Sequence, residues 1–450
     1  MRKINGWIGA ALVGGASVAV LQAGEPTLSE LDQKVKVLER KLEIADEAAA
    51  AKAKDAVSVK AGKDGFSINS ADKAFQLKIR GYVQADGRFY LDDKDHKATD
   101  SFLLRRVRPV FEGKIYEDFG FKIMPDFGDG KTVLYDAYGE YTPRPEFGIR
   151  VGKFKLPVGL ERLQSARDLE FVERGLPTDL VPNRDIGVQL GGEFGGGTLQ
   201  YQAGIFNGVP DGGNADADTN DGKDLAARLF LHPFRLTDVE ALKNFGVGVA
   251  ASVGDQTGTP SSPNLPTFKS VGQQTFFSYK NSTNANGIAY ADGQLARLIP
   301  QAYYYVGPFG LLGEYVQSQQ DVTDGKNKDT LDNTAWQIQG SWVLTGEDAT
   351  YTGVTPLHNF EPSTGHIGAV ELVARIQDLT VDDGALSAKL ADGKKSANEA
   401  KGWGVGLNWY LNKNVKFNLD YDQTAFTGGA PNRADRPDEK VILARTQFAF

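Results

Sequence analysis

The last ten residues, Val441-Ile-Leu-Ala-Arg-Thr-Gln-Phe-Ala-Phe450, decide how the rest of the chain is read. Side chains of an extended strand alternate between two faces. Counted back from the terminus, Phe450, Phe448, Thr446, Ala444 and Ile442 share one face, and Gln447 and Arg445 lie on the other. A strand with one apolar and one polar face, closing on an aromatic residue, fits the final strand of an outer-membrane barrel. Its outer face meets lipid and its inner face meets water. A soluble sandwich shows the same alternation, so the reading depends on whether the chain repeats it.

The repeat begins at Phe75. There Leu77, Ile79, Val83 and Ala85 oppose Lys78, Arg80, Tyr82 and Gln84; further on, Val415, Phe417, Leu419 and Tyr421 oppose Lys416, Asn418, Asp420 and Asp422. Segmenting by this period predicts sixteen strands, an even number as single-chain bacterial barrels require. They span 75–90, 102–116, 118–128, 131–142, 147–155, 185–194, 197–207, 223–233, 244–254, 294–306, 309–320, 332–346, 366–379, 401–411, 414–426 and 440–450. Short turns such as Glu117-Asp118 and Gly195-Gly196 tend to alternate with long polar connections, of which 156–184, 208–222, 255–293, 380–400 and 427–439 are the largest. That is how a membrane barrel joins its strands. Residues 347–365 are a long connection where a short one is due. Phe89, Tyr90, Tyr303 to Tyr305, Trp336, Trp342, Trp403 and Trp409 fall near strand ends, which suits interfacial girdles, although aromatics favour strands in general.

Composition agrees with this fold class, an all-β, 16-stranded antiparallel transmembrane barrel. Hydrophobic residues make up 41% of the 450, and there are 52 glycines. Half of every barrel strand is polar, so the wall does not show in such averages. With no cysteine, neither a disulfide framework nor a thiolate metal site is available. A formal net charge of -8 with no basic domain gives no reason to expect nucleic-acid binding. No cofactor is expected.

The N-terminal region reads as three parts. Arg2 and Lys3, the apolar stretch Trp7 to Leu21 and the small residues around Ala23 have the layout of a secretory signal peptide over residues 1–23. Leu28, Leu31, Val35, Leu38, Leu42 and Ala45 then follow heptad spacing. Thr27 and Glu30 make a capping box, which predicts a short coiled-coil helix over 24–54. A lone amphipathic helix is the alternative. Residues 55–74 read as a polar periplasmic linker, and the barrel occupies 75–450.

If the polar face lines a pore, its charges choose the ions. Arg105-Arg106-Val-Arg108 is the densest basic cluster, with Arg106 and Arg108 on one face. Arg105 points elsewhere unless it starts the strand or sits in a bulge. Lys78 and Arg80 could join them. A second cluster, Arg162, Arg167 and Arg174, lies in the connection 156–184, which would narrow the barrel by folding inward. Arginine suits an anion site because its planar fork donates two parallel hydrogen bonds and stays charged. Equally, these arginines could pair with Glu161, Asp168, Glu170 and Glu173 and only fix the loop.

Taken together the chain resembles the phosphate-selective porin O/P family. The most specific match is Ser101–Phe127 with Gly148–Val188, including Phe102-Leu-Leu-Arg-Arg-Val-Arg-Pro, Arg150-Val-Gly-Lys-Phe-Lys-Leu-Pro-Val-Gly-Leu-Glu and Phe171-Val-Glu-Arg-Gly. Trp342-Val-Leu-Thr-Gly-Glu347, Leu407-Asn-Trp-Tyr410 and Phe450 add to it. The resemblance implies a homotrimeric outer-membrane channel, embedded in lipid and leading anions such as phosphate to a constriction. It assigns Arg105 and Arg106 to the constriction, Arg162, Arg167 and Arg174 to the inward loop and entry path, and Lys63, Lys73 and Lys78 to the periplasmic side. Where phosphate-specific members have a further arginine, lysine and aspartate, this chain has Tyr82, Gly120 and Tyr135. Arg80, Lys122 and Asp136 stand nearby as substitutes, although Asp136 could repel anions. Anion preference is thus the expectation, with phosphate included.

Other function classes fit less well. A general or carbohydrate-selective porin would use lumen aromatics, for which Tyr303 to Tyr305 or Tyr135 and Tyr138 could serve. A barrel enzyme would need a nucleophile and base placed together, and His96, His232, His358 and His366 form no such motif. The helix could also tether the barrel to the cell wall. The aspartates of 211–224 lack the spacing of a calcium loop and read as a solvated acidic stretch.

Overall fold

The computed structural model describes residues 27–55, 57–62, 65–93, 98–218, 220–281 and 287–450. The expected signal peptide, 1–23, lies outside these residues, as does Lys63. The chain forms two compact units, one ending at Ala56 and one running from Val57 to Phe450.

Among the described residues the first unit is a single helix, α1, Leu28–Asp55. The predicted capping box forms: the Thr27 N–H donates to Glu30 Oε2 at 3.0 Å, and the Glu30 N–H to Thr27 Oγ1 at 3.3 Å. Two otherwise unpaired N–H groups are satisfied reciprocally. Its apolar stripe of Leu28, Leu31, Val35, Leu38 and Leu42 is exposed along its length.

In the second unit sixteen strands among the described residues close into one antiparallel barrel. They are β1 Phe75–Leu91, β2 Ser101–Ile115, β3 Phe119–Asp126, β4 Val133–Arg144, β5 Phe147–Phe154, β6 Asp185–Phe194, β7 Leu199–Phe206 and β8 Asp224–Leu231. The other half comprises β9 Phe245–Thr257, β10 Tyr290–Val306, β11 Phe309–Thr323, β12 Lys328–Val343, β13 Ala369–Thr380, β14 Ala397–Asn412, β15 Val415–Gly428 and β16 Glu439–Ala449. Each predicted strand has its counterpart, shifted by a few residues at the ends. Closure comes from β16 pairing with β1, Lys440 opposite Leu91 through Ala449 opposite Tyr82. The closing strand alternates as its sequence requires. Val441, Leu443, Arg445 and Gln447 are buried toward the interior, and Phe448 is 54% exposed on the outside.

Beyond the end of β16, the edge of β1 is covered by residues expected to be linker. Ser58–Gly62 and Gly65–Asn69 form a hairpin, and its second strand pairs with β1 from Phe66 opposite Ile79 to Asn69 opposite Gln76. The turn needs glycine. Gly65 has φ +91°, and a Cβ there would lie 2.6 Å from the Ile79 carbonyl oxygen. Gly81 and Phe450 exchange both backbone hydrogen bonds, at 3.0 and 2.9 Å, where hairpin and C-terminus meet.

One end of the barrel carries mostly short turns and the other mostly long loops. The core sits inside. The β5–β6 connection, 155–184, folds into the lumen with the hairpin Thr267–Lys269/Thr275–Ser278 of the β9–β10 connection. Leu156, Val158, Leu176 and Leu180 pack there with Phe154, Phe206, Phe268, Phe276 and Phe277. The long connection that broke the alternation, 344–368, enters from the turn end. Its Tyr351 hydroxyl donates to the Leu160 carbonyl at 2.6 Å, and Gln164 Nε2 donates to the Tyr351 carbonyl at 2.7 Å. These three connections share the lumen with the β13–β14 connection, whose Ala385, Leu390 and Ala391 join the same core, and with the β7–β8 connection, whose Asp211 is buried on Arg297.

The aromatic reading holds for the tryptophans, since Trp336, Trp342 and Trp403 are exposed on the outer wall. It fails for Tyr90, Tyr303 and Tyr305. Tyr90 donates to the Gly272 carbonyl of an inward connection, Tyr305 is buried, and Tyr303 stacks on Tyr351 at 5.1 Å.

Candidate anion site

Two β-bulges decide which side chains reach the lumen. In the β1–β2 ladder Gln84 opposes Arg106 and Ala85 opposes Leu104, so Arg105 is an extra residue. In the β3–β4 ladder Met124 opposes Asp136 and Pro125 opposes Leu134, so Tyr135 is extra. An extra residue breaks the alternation locally, and both side chains turn inward with their neighbours.

Arg105 then joins Arg106 on one carboxylate. Glu173 of the inward loop receives Arg105 Nε at 2.5 Å, Arg88 Nη2 at 3.2 Å and Arg106 Nη2 at 3.4 Å. Burial works to raise the Glu173 carboxyl, but Arg105 and Arg106 overcome it and hold it well below the usual carboxylate range. Arg445 and Asp86 lie beside this cluster as a two-pronged pair, at 2.7 and 2.6 Å.

The rest of the loop is fastened to the far wall by its backbone. Glu314 of β11 accepts the N–H groups of Leu160 and Glu161 at 2.6 and 3.3 Å, and Asp420 of β15 accepts that of Val172 at 2.6 Å. Charge-assisted bonds of this kind are roughly twice as strong as neutral ones. They also bury Glu314 and Asp420 behind the loop. Glu170 packs behind the loop, accepting from Gln339 at 2.6 Å and Ser341 at 3.3 Å. Burial, and then the nearby Glu371, push its carboxyl up to about 8.

A chamber of about 440 Å³ stays open along β1 to β7, bounded on its other side by the loop and Thr352; a second, of about 510 Å³, lies across Arg167 and Asp168 against the 344–368 connection, Lys416 and Gln447. The lining of the first carries Arg80, Arg108, Lys122, Arg150, Lys155, Arg167 and Arg184. Five carboxylates face these seven cations. Glu112 pairs with Arg80 at 2.6 Å, Asp126 with Arg108 at 2.7 Å, Glu140 with Arg150 at 2.8 Å and Asp168 with Arg167 at 3.0 Å. Asp136 is shared by Lys122 at 3.1 Å and Arg184 at 2.8 Å, while Lys155 Nζ donates to the carbonyls of Leu163 and Gln164. Fully ionised, seven against five leave an excess of two positive charges, which attracts anions into a confined space; burial, and then Arg174, pull the Lys155 ammonium well below its usual range, so Lys155 adds least to that excess. Tyr135 sits between two of the guanidiniums, Arg108 at 4.1 Å and Arg184 at 4.4 Å from its ring centre. Such contacts hold like charges side by side.

The expected site residues thus separate into groups. Arg80, Arg108, Lys122 and Arg167 line the chamber. Arg105 and Arg106 form a separate layer around Glu173. Arg162 and Arg174 act within the loop: Arg162 donates to the Thr178 carbonyl, and Arg174 to those of Glu161 and Gln164 at 3.1 and 2.7 Å. Lys78 is exposed near the start of β1, and Lys73 sits in the exposed turn before it at φ +60°. Asp136, read from sequence either as a substitute or as a repelling charge, is shared by Lys122 and Arg184. Of the aromatics suggested for sugars, Tyr135 is held between two guanidiniums as above, Tyr138 lines the chamber with Arg150 over its ring at 4.4 Å, and Tyr303 and Tyr305 pack on one another at 5.5 Å. The stretch 211–224 is not solvated throughout, because Asp211 and Asp224 are buried on Arg297 at 2.6 and 3.3 Å.

Sequence reasoning missed Arg88, Arg150, Lys155 and Arg184 as site residues. Arg150 and Lys155 stand in a quoted family stretch, and the alternation Gly148, Arg150, Gly152 places Arg150 inward. Arg184 immediately precedes a strand, where no periodicity marks it.

The family model for phosphate-selective porin O and P matches residues 75–450, the whole barrel. The chain belongs to that family. This porin is 25% identical over 422 residues to Porin O of Pseudomonas aeruginosa, covering 86% of this chain and 91% of that one. Among solved structures its fold is similar to the outer membrane channel DcaP of Acinetobacter baumannii, at TM-score 0.52 and 13% identity, covering 84% of this chain and 98% of that one. The outer membrane protein OmpT of Vibrio cholerae, in its trimer form, matches at TM-score 0.50 and 10% identity, covering 84% and 100%.

Proposed function

We propose that this porin carries small anions, phosphate among them, across the outer membrane by passive diffusion along its basic wall. One observation carries the reading. The inward loop takes up Glu314 and Asp420 with its backbone N–H groups, and the open chamber keeps an excess of cations over carboxylates. Arg80, Arg108, Lys122 and Arg167, with Arg150, Lys155 and Arg184, form the anion path. Arg105 and Arg106 set the position of the loop through Glu173 and add to the field at the narrow layer. Lys73 and Lys78 draw anions at the turn end.

Three further features belong to the same reading. Residues 1–23 act as a cleaved export signal. The barrel works as a homotrimer, supported by the family and by the trimer form of a similar barrel. The exposed stripe of α1 meets the same stripe of neighbouring copies in a short coiled coil, which hides leucines that a lone helix leaves in water.

Phosphate block of the chloride current through single channels tests the substrate. Millimolar phosphate is expected to reduce the current in a dose-dependent way. Chloride current indifferent to phosphate would remove phosphate from the proposal.

A further inference from the structure

Lys155 stands apart from the other six cations of the chamber. Each of those six bonds a carboxylate. Among the described residues Lys155 pairs with none, and its Nζ donates instead to two loop carbonyls, Leu163 at 3.2 Å and Gln164 at 2.8 Å. The Gln164 carbonyl also receives Arg174 Nη2, at 2.7 Å, so a guanidinium and the lysine nitrogen meet on one oxygen.

The charges around Lys155 decide its state. Arg162 and Arg174 face it from the loop, Arg184 from the loop's end and Asp136 from β4, and it acts in turn on Asp168 of the loop. Three guanidiniums outnumber two carboxylates. Both carboxylates are already held, Asp136 by Lys122 and Arg184, and Asp168 by Arg167. A guanidinium does not give up its proton, so the crowding is relieved at the lysine. An ammonium has three N–H donors, an amine two and a lone pair. With two N–H groups on the Leu163 and Gln164 carbonyls, the amine's lone pair is left for the chamber that Lys155 lines.

Arg184, one of the guanidiniums facing Lys155, belongs to a converging set of donors. Arg108 and Arg184 pack on the one ring of Tyr135, and Lys122 and Arg184 share Asp136. Such donors serve phosphate and sulfate alike. Both ions are tetrahedral, and at neutral pH only phosphate keeps a hydroxyl. An acceptor at the site tells the two apart, because a bare sulfate oxygen leaves that acceptor unpaired.

We infer that Lys155 accepts the hydroxyl hydrogen of phosphate through its amine lone pair and so sets phosphate above sulfate and chloride. The proton stays on the phosphate. This rests on the anion-channel reading above and names the residue that chooses among anions at the same site.

Phosphate and sulfate serve as probes above the second ionisation of phosphate, where both are dianions, each titrated against chloride current through single reconstituted channels. Phosphate is expected to halve the current at a concentration about tenfold below sulfate, the worth of one hydrogen bond in a confined site. Lys155→Arg keeps a cation but has no acceptor, and is expected to bring the two blocking concentrations together while raising chloride preference. Lys155→Met is expected to bring them together as well, with heat-modifiable gel mobility reporting a folded barrel. A ratio that survives in Lys155→Arg, or one lost in Asp136→Asn but kept in both lysine variants, overturns the inference and leaves the anion reading standing. Arsenate and selenate give the comparison in the intact protein with no variant. Arsenate, which keeps a hydroxyl, is expected to block with phosphate, and selenate with sulfate; equal block by the two overturns the inference. A pore preferring potassium over chloride would overturn both the inference and the reading beneath it.

Discussion

Arg105 and Arg106, neighbours in sequence, both close on the single carboxylate of Glu173, at 2.5 and 3.4 Å. Adjacent residues of a regular strand point to opposite faces. The bulge at Arg105 alone lets two consecutive arginines reach one loop residue. In the proposed function that contact fixes the loop against β1 and β2 while the loop backbone covers Glu314 and Asp420 opposite.

Replacing Glu173 separates the two consequences of this contact. Glu173→Gln removes a negative charge beside three guanidiniums and is expected to raise the chloride-to-potassium permeability ratio. It also breaks a buried ion cluster, at a cost of about 3–5 kcal/mol by comparison with other buried pairs. A lowered thermal midpoint and noisier open-channel current are therefore expected together. An unchanged midpoint would show that the cluster does not anchor the loop.

Charges of the chamber are expected to count more than those within the loop. At ~10 Å in water one unit charge changes the energy of a passing chloride by about 0.4 kcal/mol, so losing two lowers chloride preference about fourfold. Arg150→Gln with Arg184→Gln should show that fall in reversal-potential measurements. Arg162→Gln with Arg174→Gln should change the ratio less and lower thermal stability more, since both donate to loop carbonyls. The opposite ranking would move the anion path to the other side of the loop.

Glu170 is expected to make the pore sensitive to pH. Unfolded, this carboxyl ionises near 4.5; in the docked loop it is pushed up to about 8. Between those values the folded state holds a proton that the unfolded state has lost. Docking is thus favoured at low pH and weakens as pH rises from about 4.5 through about 8. Chloride preference should fall over the upper part of that window as a negative charge appears behind the loop. Glu170→Gln should flatten the profile, and a profile identical in the variant would assign the titration elsewhere.

The barrel was legible because period-two alternation is local, and all sixteen strands follow from it. Tyr135 and Arg105 were not, since a bulge adds one residue without any residue type to announce it. The hairpin 58–69 was missed because its two strands are only five residues long, too few for a period to stand out between Lys60, Lys63 and the glycines. Loop chemistry was half legible. Acid–arginine pairing was foreseen and occurs at Glu173 and Asp168, but Arg162 and Arg174 turned to backbone carbonyls, which carry no sequence signal. The wall acids Glu314 and Asp420 found loop N–H groups about 150 and 250 residues away in the chain. Contacts of that span are set by closure of the barrel, not by neighbours in sequence.

A salt-gradient reversal potential is the most direct test of the central claim, that loop docking leaves the pore with a positive wall. The intact protein is reconstituted in planar bilayers between unequal potassium chloride solutions. The expected result is a potential whose sign reports chloride as the more permeant ion, reduced in the Arg150→Gln, Arg184→Gln variant. A potential of the opposite sign in the intact protein would contradict the account.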